Sequence, residues 1–231
     1  DGGDGSDTVD YSYLTGTDFG DDTDNVAYYK NGIYYDGIKV DLTNSAPQRI
    51  HKDYGEDTLK NIENVIGSTK SDYIVGNDKN NILDGKGGND YFVLGQGEDT
   101  ILGDTGTDTI AFTNTSRTLG VNVDLNKNQS YGSPDSYRVI SDGFGNAKYL
   151  DSIENVIGTK YDDIIFGNSD SNTLIGGEGN DTLKGGLGAD VLDGGIGQDW
   201  AYFDDIVVSG VNIVLDTDGN SANGSSGTAN I

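Results

Sequence analysis

Asp163, Asn172, Asp181, Asp190 and Asp199 fall nine residues apart, and so do Asp72, Asn81, Asp90, Asp99 and Asp108. Carboxylates brought into neighbouring turns at that spacing repel one another unless a cation sits between them. An all-oxygen set of carboxylates and carbonyls is the chemistry calcium prefers. Glycines recur around them: Gly85, Gly87, Gly97, Gly103 and Gly106 in one set, and Gly176, Gly177, Gly179, Gly185, Gly186, Gly188, Gly194, Gly195 and Gly197 in the other. Lacking a Cβ, glycine accepts positive φ and the close backbone approach of a turn whose carbonyls face inward. With Asp7, in a lone unit near the start, these residues are the candidate metal ligands.

The segments that must position them are nine-residue units. Residues 158–202 read GTKYDDIIF, GNSDSNTLI, GGEGNDTLK, GGLGADVLD and GGIGQDWAY. Residues 67–111 read GSTKSDYIV, GNDKNNILD, GKGGNDYFV, LGQGEDTIL and GDTGTDTIA. The acid or amide holds position six. Position eight is apolar: Ile74, Leu83, Phe92, Ile101 and Ile110, then Ile165, Leu174, Leu183 and Leu192, with the small Ala201 last. A three-residue strand closing each unit suffices to turn that side chain into a thin interior. A disordered Gly/Asp/Asn tract would not hold an apolar residue at one phase of nine.

The pattern resembles the RTX (repeats-in-toxin) nonapeptide GGxGxDxUx, where U is a large apolar residue, a calcium-binding signature. The resemblance implies an all-β fold, a parallel β-roll in which six residues turn, three make a strand and two units complete a coil. It also implies calcium between turns 18 residues apart, each ion taking a position-six side chain from both turns and completing its shell with carbonyls. The implied pairs are Asp72 with Asp90, Asn81 with Asp99, Asp90 with Asp108, Asp163 with Asp181, Asn172 with Asp190, and Asp181 with Asp199, hence about six main sites. The first two units of each array depart from the template: Lys70, Lys79, Tyr161 and Asp170 replace the position-four glycine, and Asn81 and Asn172 replace an acid. Those sites are expected to be weaker or one-sided, or the units to be plain coils that cap the array.

A longer period is nested over the short one. GIKVDL at 37–42 matches GVNVDL at 120–125, and IENVIG at 62–67 matches IENVIG at 153–158. Ile62 to Ile153 and Asp108 to Asp199 are both 91 positions apart. The order is array, strand-bearing interlude, IENVIG lead-in, array. The expected divisions are 1–66, the end of a preceding array plus an interlude; 67–111, an array; 112–157, an interlude; 158–202, an array; and 203–231, a third interlude that opens with GVNIVL at 210–215. Since Asp1 opens in mid-repeat, the chain reads as a piece of a longer protein. This block order is similar to the RTX blocks of adenylate cyclase toxin-hemolysins, and to the calcium-binding modules of mannuronan epimerases and of large type I-secreted adhesins.

Composition agrees with a chain that wants cations. Among 231 residues are 36 glycines, 39 acids against 14 Lys and Arg, and no cysteine, for a formal charge of −25. That charge repels nucleic acid and anionic membrane alike. Without disulfides, a structural metal is the remaining common staple. No apolar run approaches the roughly 18 residues of a membrane helix.

Other chemistry is thin. His51 is the sole histidine, so zinc sites of the usual kinds are out of reach, and its polar surroundings predict a surface position. There is no HExxH and no P-loop. Asp18, Asp21, Asp22 and Asp24 read as a solvated acidic loop, and DTDGN at 216–220 lacks the Gly and Glu of an EF-hand loop. Trp200, at position seven, is expected to face outward.

The expected function is a non-enzymatic calcium-binding module of a large type I-secreted toxin or exoprotein, disordered at low calcium and folded outside the cell or on the bacterial surface. Its partners would be calcium, the neighbouring domains of its parent and the type I secretion apparatus during export. An adhesion module with a host receptor or glycan, or an accessory module of a secreted polysaccharide-modifying enzyme, are the alternatives.

Overall fold

Ile74, Leu83, Phe92, Ile101 and Ile110, the position-eight residues of the first array, are all completely buried, Ile74, Phe92 and Ile110 stacked in one ladder and Leu83 and Ile101 in another. They sit at the centre of three-residue strands, because only the middle residue of a short strand points opposite to its two neighbours. The computed structural model describes residues 1–14, 28–30, 33–51, 55–113, 116–126, 139–203 and 228–230. The acidic loop of Asp18, Asp21, Asp22 and Asp24, the segment GVNIVL and the segment DTDGN lie outside the described residues.

The described strands are short and largely parallel, and the fold is an all-β parallel β-roll. By internal contacts the chain divides into two units, Asp1–Ala111 with Tyr149–Ile153, and Phe112–Lys148 with Glu154–Ile231.

In the first unit successive nonapeptides alternate between two faces. One face stacks Thr8–Asp10, Asn64–Ile66, Ile82–Asp84, Thr100–Leu102 and Tyr149–Asp151 in parallel. The other stacks Lys39–Asp41, Tyr73–Val75, Tyr91–Val93 and Thr109–Ala111. Neighbours on a face are in register at 18 residues within the array, as Tyr73 with Tyr91 and Tyr91 with Thr109. Interlude and lead-in strands join the same ladders: Val40 pairs with Ile74, and Val65 with Leu83, each completely buried.

Outside this core, Tyr73 and Tyr91 stack with ring centroids 5.4 Å apart, and Tyr35 meets both edge-on at 5.8 and 5.9 Å. The interlude strand Ile33–Tyr35 thereby helps to cover one ladder. His51 is a correction to the surface position expected from its neighbours, since it is 6% exposed. It ends the strand Gln48–His51, which pairs with Gly55–Asp57, and the register shift between Arg49 and His51 leaves consecutive residues Ile50 and His51 both buried. Alternation fails where a strand is bulged.

The second unit repeats the plan. One face runs Asn122–Asp124, Ile164–Phe166, Thr182–Lys184, Trp200–Tyr202 and Thr228–Asn230, with Val139–Ser141 antiparallel on Asn122–Asp124. The other runs Asn155–Ile157, Thr173–Glu178 and Val191–Ile196. Ile165, Leu174 and Leu183 are buried, whereas Leu192 and Ala201 are half-buried. Trp200 is exposed and stacks on Tyr202 at 6.5 Å.

This unit's interlude is held by charge as well as by apolar packing. The Lys148 ammonium meets the Asp142 carboxylate at 3.0 Å with both side chains wholly buried. Asp142 also accepts the N–H groups of Phe144 and Asn146, both at 2.9 Å. The Arg117 guanidinium lies against the rings of Phe112 and Phe144, 5.0 and 4.7 Å from their centroids, and donates to the Asp142 carbonyl.

Candidate metal centre

From the third unit of each array onward, the position-six carboxylate is anchored by one oxygen. The N–H of the position-six residue 18 places earlier donates to it: Asp72 to Asp90 at 2.8 Å, Asn81 to Asp99 at 2.9 Å, and Asp90 to Asp108 at 2.7 Å. In the second unit Asp163 donates to Asp181 at 2.8 Å, Asn172 to Asp190 at 3.0 Å, and Asp181 to Asp199 at 2.9 Å. The anchor fixes the carboxylate over the underlying turn and leaves the second oxygen to be accounted for.

At Asp90, Asp181 and Asp199 that second oxygen, Oδ2, is buried and has no hydrogen-bond partner, and Oδ2 of Asp7 is buried and unpartnered likewise. A buried carboxylate oxygen without a partner is costly unless a cation or donor meets it. The burden shows in the ionisation of the ion-free fold. Burial, with the negative Asp72 beside it, pushes the Asp90 carboxyl up to about 10. Burial likewise pushes Asp181 up to about 7, against the opposing hydrogen bond from Asp163. The carboxyl of Asp163 is also raised by burial.

Glycines make the space. At position one, a Cβ on Gly85, Gly176, Gly185 or Gly194 would collide with the position-six carboxylate of its own unit, and one on Gly103 with Asp108 and the Ser152 carbonyl. At positions two and four, Gly177 and Gly179 hold φ of 120° and 117°, and a Cβ on either would strike backbone of the turn beneath, at Thr159 or Tyr161. Gly97, Gly106, Gly186, Gly188, Gly195 and Gly197 share the positive φ. Of the expected ligand glycines Gly87 stands apart. It is at position three, bridged to Thr105, and the left-handed turn falls on Lys86 and Gly88, with φ of 70° and 103°.

The turns therefore carry two kinds of oxygen, the carboxylates packed against the position-one glycines and the carbonyls of Gly88, Thr159, Asn168, Asp170, Gly177 and Gly179 against the overlying glycines at positions two and four. Among the described residues no three His, Cys, Asp or Glu side chains gather into a site of their own. An oxygen-only set of carboxylates and carbonyls suits a hard cation of calcium's size. The orphaned Oδ2 atoms and the turns that a Cβ would fill together fit the calcium expected from the sequence.

The first two units of each array are built otherwise. Asp72 accepts from Ser68 N–H and Oγ–H, both at 2.7 Å, and from Ile38 N–H at 2.7 Å. Asp163 accepts from Thr159 N–H at 2.6 Å, Thr159 Oγ–H at 3.0 Å and Val121 N–H at 2.7 Å. Asn81 accepts from Asn77 N–H at 2.9 Å and donates to the Glu63 carbonyl at 2.8 Å. Asn172 does the same with Asn168 and Glu154, at 2.9 and 2.8 Å.

Glu63 is a position-six residue that the sequence reading passed over. It lies nine places before Asp72 and accepts the Asp7 N–H at 3.1 Å, the anchor otherwise made by an aspartate. Both lead-ins are degenerate nonapeptides, with Asn61 and Ser152 at position four in left-handed conformation, φ 51° and 53°. The nine-residue phase counted back from Asp72 and Asp163 carries that signal; the missing glycines hide it.

A family model of the RTX calcium-binding nonapeptide repeat matches the chain four times, over residues 66–101, 75–110, 151–183 and 166–201. No curated protein matches it.

Proposed function

We propose, the two arrays being RTX calcium-binding nonapeptide repeats, that this chain is the calcium-dependent folding module of a large type I-secreted bacterial exoprotein. RTX nonapeptide repeats bind calcium and serve as structural modules. The observation that carries the reading is the set of buried, unpartnered Oδ2 atoms on Asp7, Asp90, Asp181 and Asp199. Without a cation those oxygens oppose the fold; with one they become its staples.

The switch is a matter of mass action. With each site binding at roughly 0.1 mM and calcium outside a cell at roughly 1 mM, every ion adds about 1.4 kcal/mol. About six sites add roughly 8 kcal/mol, the stability of a whole small domain. At sub-micromolar cytosolic calcium that contribution nearly vanishes, and a chain of charge −25 repels itself. The module stays extended inside the cell, passes a secretion channel, and folds on reaching external calcium, where it supports the neighbouring domains of its parent toxin or related exoprotein. It performs no catalysis of its own.

Circular dichroism of the chain in calcium and in excess chelator tests this. A β-sheet signal that appears with calcium and collapses with chelator is expected, and full signal in chelator refutes the switch.

A further inference from the structure

Position six does not play one role throughout. In both arrays the first two position-six residues have side chains already engaged by protein donors and acceptors, and the two arrays do it alike. A hydroxyl at position two, Ser68 or Thr159, closes the first turn on Asp72 or Asp163. An asparagine at position two, Asn77 or Asn168, closes the second on Asn81 or Asn172. In the second turn the amide is fixed from both ends. Its Oδ1 takes an N–H of its own turn, and its Nδ2 donates to the carbonyl of Glu63 or Glu154, 18 residues earlier. That N–H stands between its own turn and the one beneath, so the amide is turned toward Glu63 or Glu154 and away from the overlying turn of Asp99 or Asp190 with which it was expected to share an ion.

From the third unit onward the position-two hydroxyl or asparagine is gone, replaced by Lys86, Gly95, Asp104, Gly177, Gly186 and Gly195. There the Oδ2 atoms of Asp90, Asp181 and Asp199 are the ones left without a partner.

Resting on the calcium reading above, we infer that Asp72, Asn81, Asp163 and Asn172 are not metal ligands but calcium-independent clasps that close the leading coils, and that each ion between one of these turns and the turn above it takes its side-chain oxygen from the later turn alone. The ligating carboxylates are then Asp90, Asp99, Asp108, Asp181, Asp190 and Asp199. The four clasped turns contribute backbone carbonyls only. The count of about six ions is unchanged; what changes is that the ions below Asp90 and Asp181 have one carboxylate rather than two, and those below Asp99 and Asp190 lose an amide oxygen.

A crystal of the chain grown in calcium, with ions located by anomalous scattering, decides between the arrangements. Ions within about 2.3 to 2.6 Å of the six later carboxylates, with none on the side-chain oxygens of Asp72, Asn81, Asp163 or Asn172, is the expected result. An ion on any of those four overturns the inference while leaving the calcium module standing. A crystal with no ion at any turn defeats the calcium reading itself. In solution, calorimetric titration of Asp72→Asn is expected to return the same number of ions as the unsubstituted chain, and Asp90→Asn one fewer. A loss of one ion in Asp72→Asn, with its β-sheet dichroism in calcium intact, also overturns the assignment.

Discussion

A Cβ on Gly197 would run into the carbonyl oxygen of Gly179, so this turn can lie as close to the one beneath only while that carbon is absent. Gly197→Ala is expected to destabilise the calcium-loaded chain by more than about 1 kcal/mol, read as a lower denaturant midpoint in saturating calcium. The core offers a second single-residue test. Phe92, completely buried at position eight, should cost about 3 to 5 kcal/mol as Phe92→Ala. Both positions were legible in the sequence, because a nine-residue phase fixes which residue turns inward and which must be small. The split of position six into clasped and open residues was legible only in part: position four and the two asparagines marked the leading units as different, but not how their side chains are held. It depends on the residue at position two, Ser68 or Thr159 against Gly177 or Gly186, and the meaning of a serine there appears only when its hydroxyl is seen on the Asp72 carboxylate.

The array strands were likewise legible, since each begins in the tail of a unit, although Thr173–Glu178 and Val191–Ile196 run on three residues into the next turn instead of stopping at three as expected. The interludes were read only as far as their alternating strands, GIKVDL and GVNVDL, whose Val40 and Val123 are buried as that alternation requires. What surrounds them was not readable, because it is made by pairs distant in sequence. Arg117 reaches the Asp142 carbonyl across 25 residues, and a bulge buries His51. The Asp142–Lys148 pair gives the interlude of the second unit a prediction of its own. Burial raises the Asp142 carboxyl, but Lys148 and the N–H groups of Asn146 and Phe144 more than offset this and hold it below its ordinary value. A depressed folded value means that the stabilisation is complete above the unfolded carboxylate range, about 3.9, and is lost as pH falls through the folded value. The calcium-loaded chain should therefore lose interlude stability below about pH 4. Lys148→Met, which strands the buried carboxylate, should cost about 3 to 5 kcal/mol at neutral pH. Hydrogen exchange at Asn146 and Phe144 reports both effects.

For the molecule as a whole the raised carboxyls act in the opposite direction. Asp90, at about 10, and Asp72 and Asp181, at about 7, are raised in the ion-free fold, chiefly by burial. A raised folded value means that the ion-free fold is penalised above the unfolded carboxylate range and relieved below it. In chelator the chain should thus be least ordered near neutral pH and should gain β-sheet signal on acidification toward about pH 4. Equal circular dichroism at both values would count against the account. The formal charge of −25 adds to the same trend.

The alternation of successive nonapeptides between two faces makes the architecture sensitive to parity. In the first array the strands Tyr73–Val75, Tyr91–Val93 and Thr109–Ala111 share one ladder, while Ile82–Asp84 and Thr100–Leu102 belong to the other. Excising one nonapeptide would send every later strand of the array to the opposite wall and leave each carboxylate above a turn that was never its neighbour. Excising an adjacent pair would shorten the array by one full winding and keep each surviving strand on its own wall. Lengths of such arrays are free to drift in steps of eighteen residues and are resisted in steps of nine.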